Sequence, residues 1–320
     1  MCSYLQEIET KKEEIKKRRE LTSQEIVEIV NCLPSPSNIA FTGGEPFVKK
    51  GFMKVLRACK EKRHKVTVGT NGVLLDDETF DEIIRLGVNN VGLSLDGTKE
   101  IHNSIRRRDF AYDGLIKAVK GLREKRDKWN GPIPKILVNM VVLPSNYRVL
   151  PEVIRTIKEI GADYASIEAV DGSLERSASR LKAHIHPKMS PLKRVPLIMD
   201  SDFRTYLEKG FDVARILSIP LEISPPGMTI EDMVKYYRHE FDMDDWRCDI
   251  PWTTCRISPY GDLFPCMNYK IGNVKEQSVY QLWSSEKYHV FRQLFKKDRI
   301  QPCCIGCCKL TRITPHTYTG

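Results

Sequence analysis

The sequence predicts an α/β fold with a parallel sheet, followed by a small cysteine-rich C-terminal domain. Strand-like apolar segments alternate with amphipathic helix-like segments between residues 38 and 168. This alternation is typical of a parallel sheet with right-handed crossovers. Seven of the ten cysteines lie between Cys248 and Cys308, which indicates a metal centre in a chain that otherwise looks cytosolic. At 320 residues, the chain is long enough for one large and one small domain.

Hydrophobic periodicity and turn residues predict the elements in chain order. A first helix is expected over residues 4–33, with a capping sequence at residues 21–25. The predicted strands follow at residues 39–41, 65–69, 91–95, 136–142 and, as the last strand, 164–168. The helices after them are expected at residues 49–63, 76–87, 111–127 and 150–160. Residues 171–245 give weaker signals, and we interpret them as a connector with helices at 203–217 and 229–241.

Polar residues occur at the ends of most predicted strands, namely Glu45, Asn71, Asp96 and Glu168. Singly, each could be a turn former or a cap. The carboxyl ends of parallel strands meet at one edge of the sheet, where ligands bind in such folds. The equivalent positions of the four residues therefore favour a shared site.

The stretch from Phe41 to Phe47 is the most informative of these strand ends. Two glycines, Gly43 and Gly44, follow the strand and allow the backbone to approach a small molecule closely. Glu45 adds a fixed acceptor, and Pro46 restricts φ and ends the strand. An ordinary surface turn can have the same composition. The alternating strands and helices that follow this turn favour a ligand site instead.

Composition excludes several classes of protein. The chain has 41% hydrophobic and 29% charged residues, and it contains neither an apolar run long enough for a membrane span nor a signal-peptide layout. The formal net charge is +9, but the cations of residues 11–20 alternate with acids, as on a solvated helix face. The compact cluster at residues 106–108 could bind an anionic substrate. These features predict a cytoplasmic protein without a membrane partner and argue against nucleic acid.

The cysteine-rich tail predicts a metal site of thiolate type. It contains Cys248, Cys255 and Cys266, and it ends in a group around Cys304 and Cys307. A Cys-x-x-Cys turn places two sulfurs on one metal centre, and spacing alone fits a zinc ribbon or an iron–sulfur cluster equally well. Two further cysteines, Cys32 and Cys59, fall in apolar helical patterns and are interpreted as core thiols.

Residues 42–46 resemble the S-adenosylmethionine (SAM) turn of radical SAM enzymes. The tail resembles the auxiliary iron–sulfur domain of SPASM or twitch type, with Pro251-Trp252 after Cys248 and Gly261 before Cys266. The resemblance implies a partial (β/α)6 TIM-like barrel with its first strand missing. The implied domains are the barrel at 1–170, the connector at 171–245 and the iron–sulfur domain at 246–320.

The resemblance also implies roles for individual residues. Gly43, Gly44 and Glu45 would bind the amino group of SAM, with Pro46 fixing the turn. Ser94 and Asn139 are similar to positions that contact the carboxylate and ribose of SAM, and Asn71 is a weaker candidate. One auxiliary [4Fe–4S] cluster would be held by Cys248, Cys266, Cys304 and Cys307. Cys255 is an alternate for Cys248, and Cys303 and Cys308 are spare.

The catalytic cluster of this family needs a Cys-x-x-x-Cys-x-x-Cys loop, and the sequence contains no such triad. Cys2 stands where its third cysteine would be. We therefore expect the chain to begin inside this loop, so that its catalytic [4Fe–4S] cluster is incomplete and the chain is inactive by itself.

The function implied by the resemblance is reductive cleavage of SAM to a 5′-deoxyadenosyl radical. This radical would abstract hydrogen from a peptide or a small polar substrate, and flavodoxin or ferredoxin would supply the electron. Two alternatives remain open: a non-catalytic remnant that carries a cluster, and a zinc-ribbon protein that binds nucleic acid.

Overall fold

The computed structural model describes residues 17–170, 196–242, 244–266, 269–300, 304 and 307–313. Within these ranges a six-stranded sheet has its strands in the order of the chain. The strands are β1 (Asn38–Phe41), β2 (Lys65–Gly69), β3 (Asn90–Ser94), β4 (Lys135–Val142), β5 (Tyr164–Ala169) and β6 (Leu221–Ser224). The first four pair in parallel, as the alternation of strands and helices predicts.

Helices connect these strands and pack against the sheet. They are α1 (Ser23–Asn31), α2 (Phe52–Glu61), α3 (Asp77–Leu86), α4 (Lys99–Arg106), α5 (Ala111–Lys128), α6 (Leu150–Glu159) and α7 (Phe203–Ile216). The predicted stripe of α2 is confirmed, because Phe52, Val55, Leu56 and Cys59 are all buried. Burying such a stripe provides most of the stability of a short helix.

The strands alternate between a buried face and a half-exposed face. In β3, Val91 and Leu93 are buried, whereas Asn90, Gly92 and Ser94 are partly exposed. The same alternation in β4 places Asn139 on the half-exposed face. Because side chains point to opposite faces in alternation, the polar residues of neighbouring strands share one surface of the sheet.

The C-terminal part of the chain forms a second compact unit. A small sheet has the order β10-β9-β8, with β8 at Arg256–Ile257, β9 at Asp262–Phe264 and β10 at Gly272–Asn273. A two-stranded ribbon pairs β7 (Trp246–Cys248) with β11 (Leu310–Arg312). The helices of this part are α8 (Ile230–Tyr237), α9 (Ile250–Thr253), α10 (Val279–Trp283) and α11 (Glu286–Asp298).

Several predictions of elements are wrong. Of the helix predicted over residues 4–33, the described part is helical only from Ser23, after a capping box between Thr22 and Glu25, whereas residues 17–22 are not helical. Residues 4–16 lie outside the described residues. Residues 164–168 are not the last strand, because β6 lies inside the predicted connector and extends the sheet. The helix α4 was not predicted. Cys32 is exposed rather than a core thiol.

In the described ranges, none of the helices combines the length and the apolar character that crossing a membrane requires.

Candidate functional site

The glycine turn lies directly after β1 and is open to solvent. Thr42, Gly43 and Gly44 are exposed. Gly43 has a φ of +134°, a region that favours glycine, and a Cβ at this position would meet no atom within 4 Å. The turn therefore presents bare backbone to open space, which suits close approach of a ligand.

Glu45 connects this turn to the loop after β2. Its Oε1 accepts hydrogen bonds from the Thr70 hydroxyl at 2.8 Å and from the Phe47 amide at 3.2 Å. Its Oε2 accepts from the Asn71 amide at 2.8 Å. Both carboxylate oxygens thus fix the turn, and Pro46 opens a short 3₁₀ helix directly after it.

Asn71 and Glu45 are therefore brought together, as the sequence predicts for strand ends. The Asn71 side chain is exposed, and its Oδ1 accepts a hydrogen bond from the Val73 amide at 2.9 Å. This hydrogen bond joins two residues of the loop after β2 and stabilises the conformation of the loop. The backbone amide of Asn71 hence stabilises the glycine turn after β1, and its side chain stabilises the loop after β2.

Ser94 and Asn139 form a second pair of predicted residues. They are register partners on β3 and β4, and the Ser94 hydroxyl donates to Asn139 Oδ1 over 3.2 Å. Both side chains are partly exposed on the same face of the sheet. This arrangement leaves the Asn139 NH₂ group as a donor for a ligand at the carboxyl edge.

Asp96 lies two residues beyond Ser94 and is buried in a network. Its carboxylate pairs with Arg106 at 2.6 Å and accepts a bond from the Val141 amide at 3.3 Å. Its own amide donates to His102 Nδ1 at 3.1 Å. Burial lowers the pKa of His102 to about 4, the Arg106 charge lowers it further, and the Asp96 charge opposes the shift.

Arg106 is a site candidate that the sequence reading did not single out from its basic cluster. It ends α4, and its side chain remains 38% exposed although Asp96 holds it. A buried partner fixes a guanidinium in place, and a guanidinium suits a carboxylate ligand. The signal available in the sequence was the helical spacing between His102 and Arg106.

The fourth strand-end residue, Glu168, lies half-buried on β5.

The cysteine tail brings three of the predicted ligands near one another. Burial raises the pKa of Cys248 to about 12, and the nearby thiols of Cys307 and Cys266 raise it further. The Cys307 amide donates to the Cys304 carbonyl at 2.9 Å, so these two residues share a turn. Among the described cysteines none forms a disulfide. Thiolates are the ligands of iron–sulfur clusters, so these residues fit such a cluster by type.

Cys255 has a different environment. Burial raises the pKa of its thiol, and it packs against the core formed by Leu263, Ile271, Leu282 and Tyr288. Across the described part of the chain, no three His, Cys, Asp or Glu side chains are close enough to hold a metal ion. Cys2 and Cys303 lie outside the described residues.

A parallel βα sheet with an exposed glycine turn at its carboxyl edge, followed by a small domain that contains several thiols, defines an α/β protein with a candidate ligand site at the sheet. Residues 2–157 match the family model of the radical SAM superfamily, and residues 248–308 match the SPASM iron-sulfur cluster-binding domain. The chain belongs to the radical SAM superfamily and carries a C-terminal SPASM domain. It is therefore an enzyme of this family, with SAM and [4Fe–4S] clusters as cofactors, and the zinc-ribbon alternative is not supported.

Known proteins similar to this chain differ in what they act on. The tungsten-containing aldehyde ferredoxin oxidoreductase cofactor-modifying protein of Pyrococcus furiosus is 25% identical over 88% of this chain and 76% of its own length. The serine-type anaerobic sulfatase-maturating enzyme of Bacteroides thetaiotaomicron is 25% identical over 91% of this chain and 72% of its own length.

A solved structure, Streptococcus suis SuiB bound to its precursor peptide SuiA, resembles this chain with a TM-score of 0.61. It covers 91% of this chain and 65% of SuiB, at 17% identity. Likeness at this identity concerns the fold alone, and it confirms the predicted α/β class.

Proposed function

We propose that this enzyme binds SAM at the carboxyl edge of β1–β4 and abstracts hydrogen from a peptide. SAM and a reduced cluster supply the radical chemistry when they are bound. The observation that carries the proposal is the convergence of the Glu45-braced turn with Asn71, together with the Ser94–Asn139 pair on the same sheet.

The residues of the chain would divide the binding of SAM between them. Gly43 and Gly44 allow the backbone to approach the amino group, while Glu45 and Pro46 hold the turn. The Asn139 NH₂ group would donate to the carboxylate, and the Ser94 hydroxyl, whose hydrogen is given to Asn139, would accept from a ribose hydroxyl. Arg106, two turns of α4 beyond the strand, adds a fixed positive charge for the carboxylate.

In the tail, Cys248, Cys266, Cys304 and Cys307 would hold the auxiliary cluster, with Cys255 as the alternate for Cys248. The turn shared by Cys304 and Cys307 and the match of residues 248–308 to the SPASM domain support this set. Cys2 would be a ligand of the catalytic cluster. Flavodoxin or ferredoxin would supply the electron, and a cytoplasmic location would keep these thiols reduced.

A peptide substrate is favoured by two of the similar proteins. One is named for maturing sulfatases, and the SuiB structure contains a precursor peptide. The name of the Pyrococcus protein favours a cofactor as a second candidate substrate. Deuterium transfer into 5′-deoxyadenosine, measured on protein that carries a complete catalytic cluster, separates the two, with a deuterated peptide and a deuterated cofactor as the alternative probes. Transfer from the cofactor alone would overturn the peptide proposal.

SAM binding itself can be tested with two asparagines on the same sheet face. Asn139→Ala removes the donor at the carboxyl edge, and we expect about tenfold weaker SAM binding by calorimetry. Asn90→Ala is the matched control, because Asn90 opens β3 and donates to Thr67 at the opposite end of the strand. Equal affinities of the two variants would contradict the proposed site.

A further inference from the structure

Residues 17–21, which we name the arm, are fixed to the small sheet of β8, β9 and β10. The Leu21 amide donates to the Pro259 carbonyl at 2.7 Å, and the Lys275 ammonium donates to the Arg19 carbonyl at 2.7 Å. The Arg18 guanidinium lies over the Tyr260 ring, 4.7 Å from its centroid. The arm therefore contacts the loop between β8 and β9 and the turn after β10.

The centre of this contact is Asp262, at the start of β9. One carboxylate oxygen pairs with Arg18 at 2.5 Å, and the other accepts bonds from Lys270 at 2.7 Å and Asn273 at 2.9 Å. The side chain of Asp262 is only 5% exposed. Breaking one partner of a buried ion pair leaves a charge without compensation, which makes such a contact costly to lose.

The charge of Asp262 is maintained by these contacts. Burial acts to raise the pKa of this carboxyl, but the hydrogen bonds from Lys270, Arg18 and Asn273 outweigh burial and hold the pKa below its usual range. The carboxylate is therefore ionised at neutral pH, when it can attract the arm.

The same strand leads to a predicted cluster ligand. β9 runs from Asp262 to Phe264, and Pro265 and Cys266 follow directly. In the other direction along the sequence, the arm lies between Cys2 and α1. Asp262 thus contacts the arm and precedes the proposed ligand Cys266 on the same stretch of chain.

We propose that Asp262 is a positioning residue that holds the arm, and that loading of the auxiliary cluster strengthens this hold by ordering β9. The proposal rests on the proposed assignment of Cys266 as a cluster ligand. Metal binding and folding are linked when the ligands lie on the element that folds. The small sheet then has two tasks, since it carries a cluster ligand and secures the arm.

Hydrogen–deuterium exchange of the peptide covering the arm tests the hold directly, because local opening exposes its amides. In the cluster-loaded chain we expect Asp262→Asn to speed exchange of the arm about tenfold. Lys296→Ala is the matched control, since it removes an exposed lysine of α11, and we expect little change.

Exchange of the arm in further variants, and with and without the cluster, can contradict the proposal. Arg18→Gln and Asp262→Asn must be non-additive in the double variant, because they remove the same pair. Exchange of the arm that is equal in wild type and Asp262→Asn would overturn the proposal. Equal exchange in cluster-free and cluster-loaded wild type would overturn the linkage to the cluster. Failure of wild type to bind iron would instead contradict the ligand assignment, while the Asp262→Asn comparison remains measurable.

Discussion

Glu45 accepts three hydrogen bonds from its own chain, so it shapes the turn at which we propose that SAM binds. Glu45→Gln replaces one accepting oxygen by an NH₂ group, which cannot accept from Thr70 or Asn71. We expect SAM affinity to fall about tenfold and the free energy of unfolding to drop by about 1–3 kcal/mol. Calorimetry and urea unfolding measure the two effects. Glu28→Gln, at an exposed position of α1, is the control, and equal results for both variants would refute this role of Glu45.

His102 predicts a pH dependence of stability. Its folded pKa is about 4 because it is buried, against an ordinary value of 6.5. The unfolded chain therefore binds the proton first as pH falls, and stability present above pH 6.5 is lost between pH 6.5 and 4. For a shift of this size the loss is about 3 kcal/mol.

Urea unfolding at a series of pH values checks the contribution of His102. In His102→Gln the amide oxygen can still accept the Asp96 amide but does not titrate, so we expect a flatter pH profile over this window. Parallel profiles for wild type and variant would show that His102 does not cause the loss.

Among the elements, α5 packs closely on α3 because Gly121 has no side chain. A Cβ at Gly121 would collide with the Phe80 ring, which is 1% exposed. We expect Gly121→Ala to destabilise the fold by about 1–3 kcal/mol, despite the higher helix propensity of alanine. Lys120→Ala changes the adjacent, exposed residue of α5 and should leave the urea midpoint within experimental error. If the Gly121→Ala variant were more stable than wild type, α3 and α5 would be able to move apart without losing packing energy.

The elements also show which features the sequence made predictable. β2 was predicted with its observed limits, because Val66 and Val68 alternate with half-exposed neighbours and a helix flanks the strand on each side. The helix α4 was missed since His102 is its only buried residue, and β6 was missed since only Ile223 of its four residues is buried. Short elements held by tertiary contacts give little periodicity.

The same limit applies to the site. The proximity of Glu45 and Asn71 could be predicted, because the ends of parallel strands meet at one edge of the sheet. Ser94 and Asn139 were named from the resemblance alone, and their contact depends on the register of β3 and β4. The roles of Arg106 and Arg18 could not be predicted, because each depends on a carboxylate that the fold brings near. The charged pattern around Arg18 looks helical in the sequence, but its ion pair with Asp262 accompanies a non-helical arm.

On the scale of the whole molecule, cluster content is the informative quantity. Reconstitution of the 320-residue chain should yield one auxiliary cluster, about four irons, because the sequence has no Cys-x-x-x-Cys-x-x-Cys triad. Cys248→Ser should lose this iron, whereas Cys255→Ser, which alters another buried thiol, should keep it. Iron and sulfide analysis measures the content. Two clusters per chain would contradict the expectation that the ligands of the catalytic cluster are incomplete. Iron loss in Cys255→Ser alone would mean that Cys255, and not Cys248, is the cluster ligand.

The six-stranded sheet has the same order in space as in the chain, and this order has a consequence for synthesis on the ribosome. Each new strand emerges beside a partner that has already been made, so the sheet can grow from one edge during translation. β6 is the exception in timing, because about fifty residues separate it from β5. Until the codons of β6 are read, the edge of β5 stays open to other nascent chains. Slow translation between these two strands would therefore lengthen the time for which this edge is open.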